Sequence, residues 1–120
     1  MESLGIVDVF RILKDIGEFR RRNMPYIQTL EDLELLREIG LHQQHGRPIT
    51  LKVLFQQGIS SVATIQRRLG RLKRLGVVQQ TRAGHDGRIL ELTLNPKTLA
   101  GYRKIEQMMR GHARKPAAAG

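Results

Sequence analysis

The sequence contains no cysteine and no tryptophan, and aromatic residues make up only 4% of its 120 positions. Without thiols the chain can form neither disulfides nor thiolate metal sites. No stretch approaches the ~18 consecutive apolar residues of a membrane span, and the N-terminus lacks the basic and apolar segments of a signal peptide. These absences predict a cytoplasmic protein without a membrane partner.

Motifs of catalysis and metal binding are also missing. The chain has no phosphate-binding loop, dinucleotide fingerprint or nucleophile elbow. Of its four histidines, only His42 and His45 lie close together in the sequence, and no third ligand is near them. We therefore expect no enzymatic activity, no metal and no cofactor.

Acidic residues are scarce in one half of the chain. Residues 1–58 carry eight basic and eight acidic side chains, whereas residues 59–120 carry thirteen basic and three acidic ones, so the second half holds the whole net charge of +10. A neutral half beside a strongly positive half predicts one surface that binds a polyanion. The densest cluster of basic residues lies between 67 and 74.

Apolar periodicity and turn residues predict the order helix, helix, short helix, helix, β-hairpin, helix. The residue types predict N-caps at Thr29, Thr50, Ser60 or Ser61, and Asn95. The buried stripe of the fourth helix should include Val62, Ile65, Leu69, Leu72 and Leu75. Strands are expected at 77–81 and 89–94, and the last helix at 97–110.

A short helix, a turn at 58–60 and a basic helix form the arrangement of a helix-turn-helix, and the hairpin that follows adds a wing. Leu72, three residues, Gly76 and two valines close the basic helix. The wing carries Asp86-Gly87-Arg88, and Leu92-Thr93 leads out of it. With both motifs in this order, residues 29–93 resemble the MarR-type family of bacterial winged-helix transcription regulators.

The resemblance implies a mainly α (α+β) fold: a winged helix-turn-helix with a two-stranded β-hairpin wing and N- and C-terminal flanking helices. We expect one domain over residues 1–110, with dimerisation helices at 1–22 and 97–110, and a flexible tail at 111–120. In this family a longer C-terminal region usually pairs with the first helix, whereas only one helix follows the wing here. The expected dimerisation residues are Ile6, Val9, Phe10, Leu13, Tyr102, Ile105 and Met109.

Helix 60–75 is expected to read the major groove, because N-terminal residues of a recognition helix reach base edges. We assign base contacts to Ser61, Thr64, Gln66 and Arg67, and a thymine-methyl contact to Ala63. Ser60 and Ser61 should also face phosphate at the helix N-terminus. The remaining cations should lie along the DNA backbone as one outward ridge: Arg68, Arg71, Lys73 and Arg74.

Wing 79–93 is expected to contact the minor groove or the backbone through Arg82, His85 and Arg88, since a narrow minor groove attracts arginine. Asp86 is better explained as a partner of Arg88 that fixes the turn. A run of charges on a helix is often only a solvated face. Such a face normally has acidic partners four residues away, and none occurs between residues 59 and 85.

The predicted function is a sequence-specific regulator of transcription, a repressor, that binds double-stranded DNA as a homodimer at the bacterial nucleoid. The sequence does not identify a small-molecule effector. The alternative is a winged-helix adaptor or DNA-binding module of a plasmid, phage or replication complex. An anionic membrane surface fits less well, because residues 63–74 present only alanine and threonine beside the cations.

Overall fold

The computed structural model describes residues 4–114, and the chain divides into two compact units. One is the central unit, Tyr26–Leu99; the other is the terminal unit, formed by the described residues up to Pro25 and from Ala100 onward. The elements in chain order are α1 (Ile6–Asn23), α2 (Leu30–Gln44), β1 (Ile49–Thr50), α3 (Leu51–Phe55), α4 (Val62–Arg74), β2 (Val78–Ala83), β3 (Ile89–Leu94) and α5 (Pro96–Arg114).

The helices of the central unit begin where hydroxyl side chains can cap them. Thr29 Oγ1 accepts the backbone N–H of Asp32 at 3.1 Å, and the Asp32 carboxylate accepts the N–H of Thr29 at 3.2 Å. This reciprocal capping box sets the start of α2. Thr50 caps α3, and Ser61 rather than Ser60 caps α4. The predicted caps of α2 and α3 are confirmed.

Gly76 follows Leu75, the C-cap of α4, and its φ of +74° suits glycine better than any L residue. The N–H of Gly76 bonds to the carbonyl of Lys73 at 3.0 Å, and the N–H of Val77 bonds to that of Leu72 at 2.9 Å. This Schellman-type arrangement satisfies the last carbonyls of the helix and turns the chain into β2.

The sheet has three antiparallel strands in the order β1-β3-β2. In the hairpin, Val78 pairs with Leu94 at one end and Ala83 with Ile89 at the other. The short strand β1 pairs Ile49 with Leu92 on the opposite edge of β3. The winged helix-turn-helix fold class is confirmed, but the wing belongs to a three-stranded sheet. Two residues are too few to show the period-two pattern of a strand.

The core of the central unit lies between α2, α3, α4 and the sheet. Val62 and Leu75 do not join it, contrary to expectation: they are 49% and 55% exposed. Val62 is the first residue of α4, and Leu75 is its C-cap. The buried apolar residues of this unit are Leu35, Leu36, Ile39, Ile49, Leu54, Ile65, Leu69, Leu72, Val77, Val78, Leu92 and Leu94.

In the terminal unit, Ile12 and Met24 are the buried apolar residues among those described. Helix α5 continues through Arg114, beyond the predicted end at residue 110. Residues 111–114 are therefore helical rather than part of a tail, and residues 115–120 lie outside the described part. His112 Nε2 lies 2.7 Å from Asp15 Oδ2 and so joins α5 to α1. None of the described helices combines the length and the hydropathy of a membrane span.

Candidate nucleic-acid interface

One face of α4 points outward and carries no acidic residue. Away from the buried Ile65, Leu69 and Leu72, the helix exposes two kinds of side chain. Small and amide side chains lie near its N-terminus, and basic side chains follow further along. Thr64 is half-exposed on the same side. Besides the apolar Val62, the exposed residues of α4 are Ala63, Gln66, Arg67, Lys73 and Arg74.

The hydroxyl groups at the start of α4 are bonded to each other. Ser61 Oγ accepts the N–H of Thr64 at 3.2 Å and lies 3.0 Å from Thr64 Oγ1. Ser60 is half-exposed just before them. The cap therefore occupies the Ser61 hydroxyl. Gln66 and Arg67 are the first side chains of α4 whose polar groups have no partner among residues 4–114.

Arg68 and Arg71 turn inward, so the prediction of one continuous outward ridge is wrong for these two cations. Arg68 Nε donates to Asp32 Oδ1 at 2.8 Å, and its Nη2 donates to Oδ2 of the same carboxylate. Arg71 Nη1 donates to the carbonyl of Tyr26 at 2.8 Å and lies 3.6 Å from Asp32 Oδ2. Their side chains are only 16% and 22% exposed. A buried carboxylate on α2 attracts both guanidinium groups away from the surface.

Two opposing effects set the pKa of Asp32. Burial disfavours the charged carboxylate and raises the pKa, while hydrogen bonds from Arg68 and from the backbone of Gln28 and Thr29 lower it. The lowering effects win, so the pKa of Asp32 lies below its ordinary value. The same hydrogen bond raises the pKa of Arg68. Both groups are therefore charged at neutral pH.

Lys73 links the helix to the wing. Its Nζ donates to Gln80 Oε1 on β2 at 3.0 Å. Both side chains are exposed, so this contact lies on the surface, between the C-terminal half of α4 and the first strand of the hairpin. Arg74, one residue further, is exposed and extends the basic surface of α4.

The tip of the wing is fixed by its own side chains. The predicted pairing of Asp86 with Arg88 is confirmed: Arg88 Nε lies 3.1 Å from Asp86 Oδ2. Arg82 Nη1 donates to the carbonyl of Gly87 at 3.2 Å, which braces the turn. Arg82, His85 and Arg88 are exposed, and the Arg88 side chain is 86% exposed despite its partner. The wing therefore presents basic side chains from a defined turn.

The expected dimerisation residues divide into two groups. Ile6, Phe10 and Leu13 on α1 are 70%, 66% and 59% exposed, and Val9 and Met109 are exposed as well. Tyr102 and Ile105 on α5 are half-buried. An apolar stripe this open to water is typical of a surface that another protein covers.

Together, α3, the turn after it, α4 and the sheet define a winged helix-turn-helix protein. No family model and no curated protein matches the chain. Among solved structures, the fold is that of MarR-family transcriptional regulators, as the two sequence motifs implied. A structure of MarR has a TM-score of 0.56 and 18% identity, covering 87% of this chain and 74% of that one.

Two further structures of the same fold hold DNA. A mutant MarR from E. coli complexed with operator DNA has a TM-score of 0.54 and 16% identity, covering 92% of this chain and 80% of that one. The M. tuberculosis transcriptional regulator MOSR in complex with DNA has a TM-score of 0.51 and 24% identity, with coverage of 91% and 77%.

Proposed function

We propose that this protein is a sequence-specific transcription regulator that binds double-stranded DNA as a homodimer. The observation that carries the proposal is the outward face of α4, which is free of acidic residues and presents Gln66 and Arg67 beside a basic wing. The solved DNA complexes of proteins with the same fold support it. Like charges crowded on one surface repel each other, and a bound polyanion relieves that repulsion.

The N-terminal half of α4 enters the major groove. Arg67 can donate two hydrogen bonds to guanine, and Gln66 can bond bidentately to adenine. Thr64 and Ala63 lie on the same face and are small enough to let the helix approach closely, with Ala63 against a thymine methyl. Ser60 and the backbone N–H groups at the start of the helix, which Ser61 caps, are placed for phosphate rather than for bases.

The other exposed cations hold the helix and wing on the DNA backbone. Lys73 and Arg74 extend from the C-terminal half of α4, and Arg82 and Arg88 extend from the wing. His85 lies at the wing tip with them. Such contacts supply affinity and register without reading sequence, while an arginine at the wing tip suits the narrow minor groove.

The homodimer forms through the exposed apolar stripe of α1, together with Met109 and the half-buried Tyr102 and Ile105 of α5. Covering Ile6, Phe10 and Leu13 removes large apolar side chains from water, which favours association. A two-fold dimer binds two inverted half-sites whose spacing follows the DNA repeat of about 10 base pairs. Bound across a promoter, it acts as a repressor.

Selection of bound sequences from a random duplex pool tests this function. We expect enrichment of a pseudo-palindrome with two half-sites, and a dimer in sedimentation. A pool that shows no enrichment contradicts sequence-specific regulation. A monomer that binds DNA weakly favours instead the adaptor of a plasmid, phage or replication complex.

A further inference from the structure

The Asp32 carboxylate is fully buried, and α4 supplies its cationic partners. Its exposed fraction is 0%, and its oxygens accept from the backbone N–H groups of Gln28 and Thr29 and from the guanidinium of Arg68. Arg71 lies 3.6 Å away. One side chain of α2 thus serves two purposes: it begins its own helix and binds two arginines of the proposed recognition helix.

These contacts restrict α4 in a way that its apolar contacts do not. Burial of Ile65, Leu69 and Leu72 is non-directional, so it resists removal of the helix more than it resists small rotations. A guanidinium–carboxylate pair with two parallel hydrogen bonds fixes both distance and angle. Arg71, three residues further along, adds a second fixed point through the carbonyl of Tyr26. Two fixed points define how α4 is rotated about its axis.

The rotation of α4 decides which side chains can reach base edges. Arg67 directly precedes Arg68 and points about 100° away around the helix. At a radius of about 5–6 Å, a rotation of 10° moves a side chain by about 1 Å. A bidentate contact to a base does not tolerate a displacement of that size, whereas a contact to phosphate does.

We propose that Asp32 is a positioning residue for DNA recognition: it locks α4 so that Gln66 and Arg67 face the bases. The inference rests on the proposed function. Asp32 also holds two cations away from the DNA backbone. Arg68 and Arg71 are therefore not available to bind phosphate, which would strengthen binding to any sequence. Instead they fix the orientation of Gln66 and Arg67, the side chains that distinguish one base from another.

Asp32→Asn tests the proposal with two duplexes, the selected site and its scrambled version, at a temperature where all variants are folded. The control is Glu34→Gln, which removes one charge from the same helix; Glu34 lies 4.0 Å from Arg37 and, among residues 4–114, forms no hydrogen bond or ion pair with α4. In Asp32→Asn, the Kd for the scrambled duplex divided by the Kd for the selected site should fall about tenfold or more, because the variant discriminates less between the two sequences. The log–log salt slope for the scrambled duplex should steepen by up to about 1.8, because two arginines become available at about 0.9 each.

A purely stabilising role of Asp32 would leave both quantities unchanged in the folded variant, so an unchanged ratio and slope overturn the proposal. Arg68→Lys is the second variant, for use if Asp32→Asn does not fold. It keeps the charge but cannot form both hydrogen bonds, so a smaller loss of discrimination with little change of slope is expected. Discrimination equal to wild type overturns the proposal here as well.

An NMR experiment on the protein without DNA tests the positioning role of Asp32 independently of the proposed function. In NMR spectra, Asp32→Asn should shift the backbone amide signals of residues 62–74 and leave those of α1 in place. If the α4 signals stay in place, the positioning role is wrong whether or not the protein binds DNA. If they shift but wild type prefers no sequence, the proposed function fails and the locking of α4 by Asp32 stands.

Discussion

At the scale of single residues, the cations of α4 differ in what they contact rather than in their charge. Arg67 has no partner among the described residues, Lys73 bonds to a wing side chain, and Arg68 is held by a buried carboxylate. A sequence gives the charge and the helical angle of each. It does not give the partner, because Asp32 lies 36 residues from Arg68 along the chain.

Arg67→Ala should weaken binding to the selected site by about 1–3 kcal/mol and reduce the preference for one base at its position. The reason is the loss of a bidentate contact to a base edge. Lys73→Ala is the matched control, since it should weaken all sequences alike and reduce the salt slope by about 1. Anisotropy titrations against single-base variants of the site measure both. Equal losses on every sequence for Arg67→Ala would show that this residue contacts only the backbone.

Asp32→Asn should lower the free energy of unfolding at neutral pH by about 3–5 kcal/mol, because it leaves guanidinium groups without their carboxylate. The pKa of Asp32 is depressed below its unfolded value of 3.8. Its contribution is therefore complete above that value and is lost as the pH falls through the folded pKa. Urea unfolding of wild type and variant at several pH values measures the difference. If the difference in the free energy of unfolding between wild type and variant stays constant down to strongly acidic pH, Asp32 does not form a charged pair with the arginines.

At the scale of the elements, local signals predict the starts of several helices and the stop of α4, but not the end of α5. The caps at Thr29 and Thr50, the stop at Gly76 and the Asn95-Pro96 start each depend on residues within one turn. Strand β1 could not be predicted in this way. Its two residues are ordered by pairing with β3, about forty positions further along the chain.

Two glycines, Gly70 inside α4 and Gly76 just after it, give opposite predictions for the same substitution. Gly76→Ala should destabilise the protein by about 1–2 kcal/mol, because φ there is +74° and an L residue is strained in that region. Space is not the cause, since a Cβ at Gly76 would meet no atom within 4 Å. Gly70→Ala, inside the helix, should stabilise it by about 0.5–1 kcal/mol. The denaturant midpoint, compared at an unchanged m-value, shows whether each substitution raises or lowers the free energy of unfolding. A stabilising Gly76→Ala would contradict the helix stop.

At the scale of the whole molecule, the amphipathic α1 leaves its predicted apolar stripe exposed in the protomer. The expected dimerisation residue Phe10 is exposed, and the helix buries Ile12 instead. Periodicity identifies which residues share a face. It cannot say whether the chain itself or a second copy covers that face.

Phe10→Glu should convert the proposed dimer to a monomer, because it places a charge in the apolar stripe. Leu41→Glu is the control; Leu41 is similarly open, at 50% exposed, and lies on α2 outside that stripe. Sedimentation measures the association, and the monomer should bind one half-site with about half the salt slope of the dimer. A Phe10→Glu protein that remains a dimer would place the interface elsewhere.

The salt dependence of DNA binding tests the central claim, that the exposed cations of α4 and the wing form a surface for duplex DNA. Kd for the selected duplex is measured by anisotropy over a series of salt concentrations. With six or more phosphate contacts at about 0.9 each, log K should fall against log salt with a slope of about −5 or steeper. A flat response would mean that these side chains do not bind the phosphate backbone.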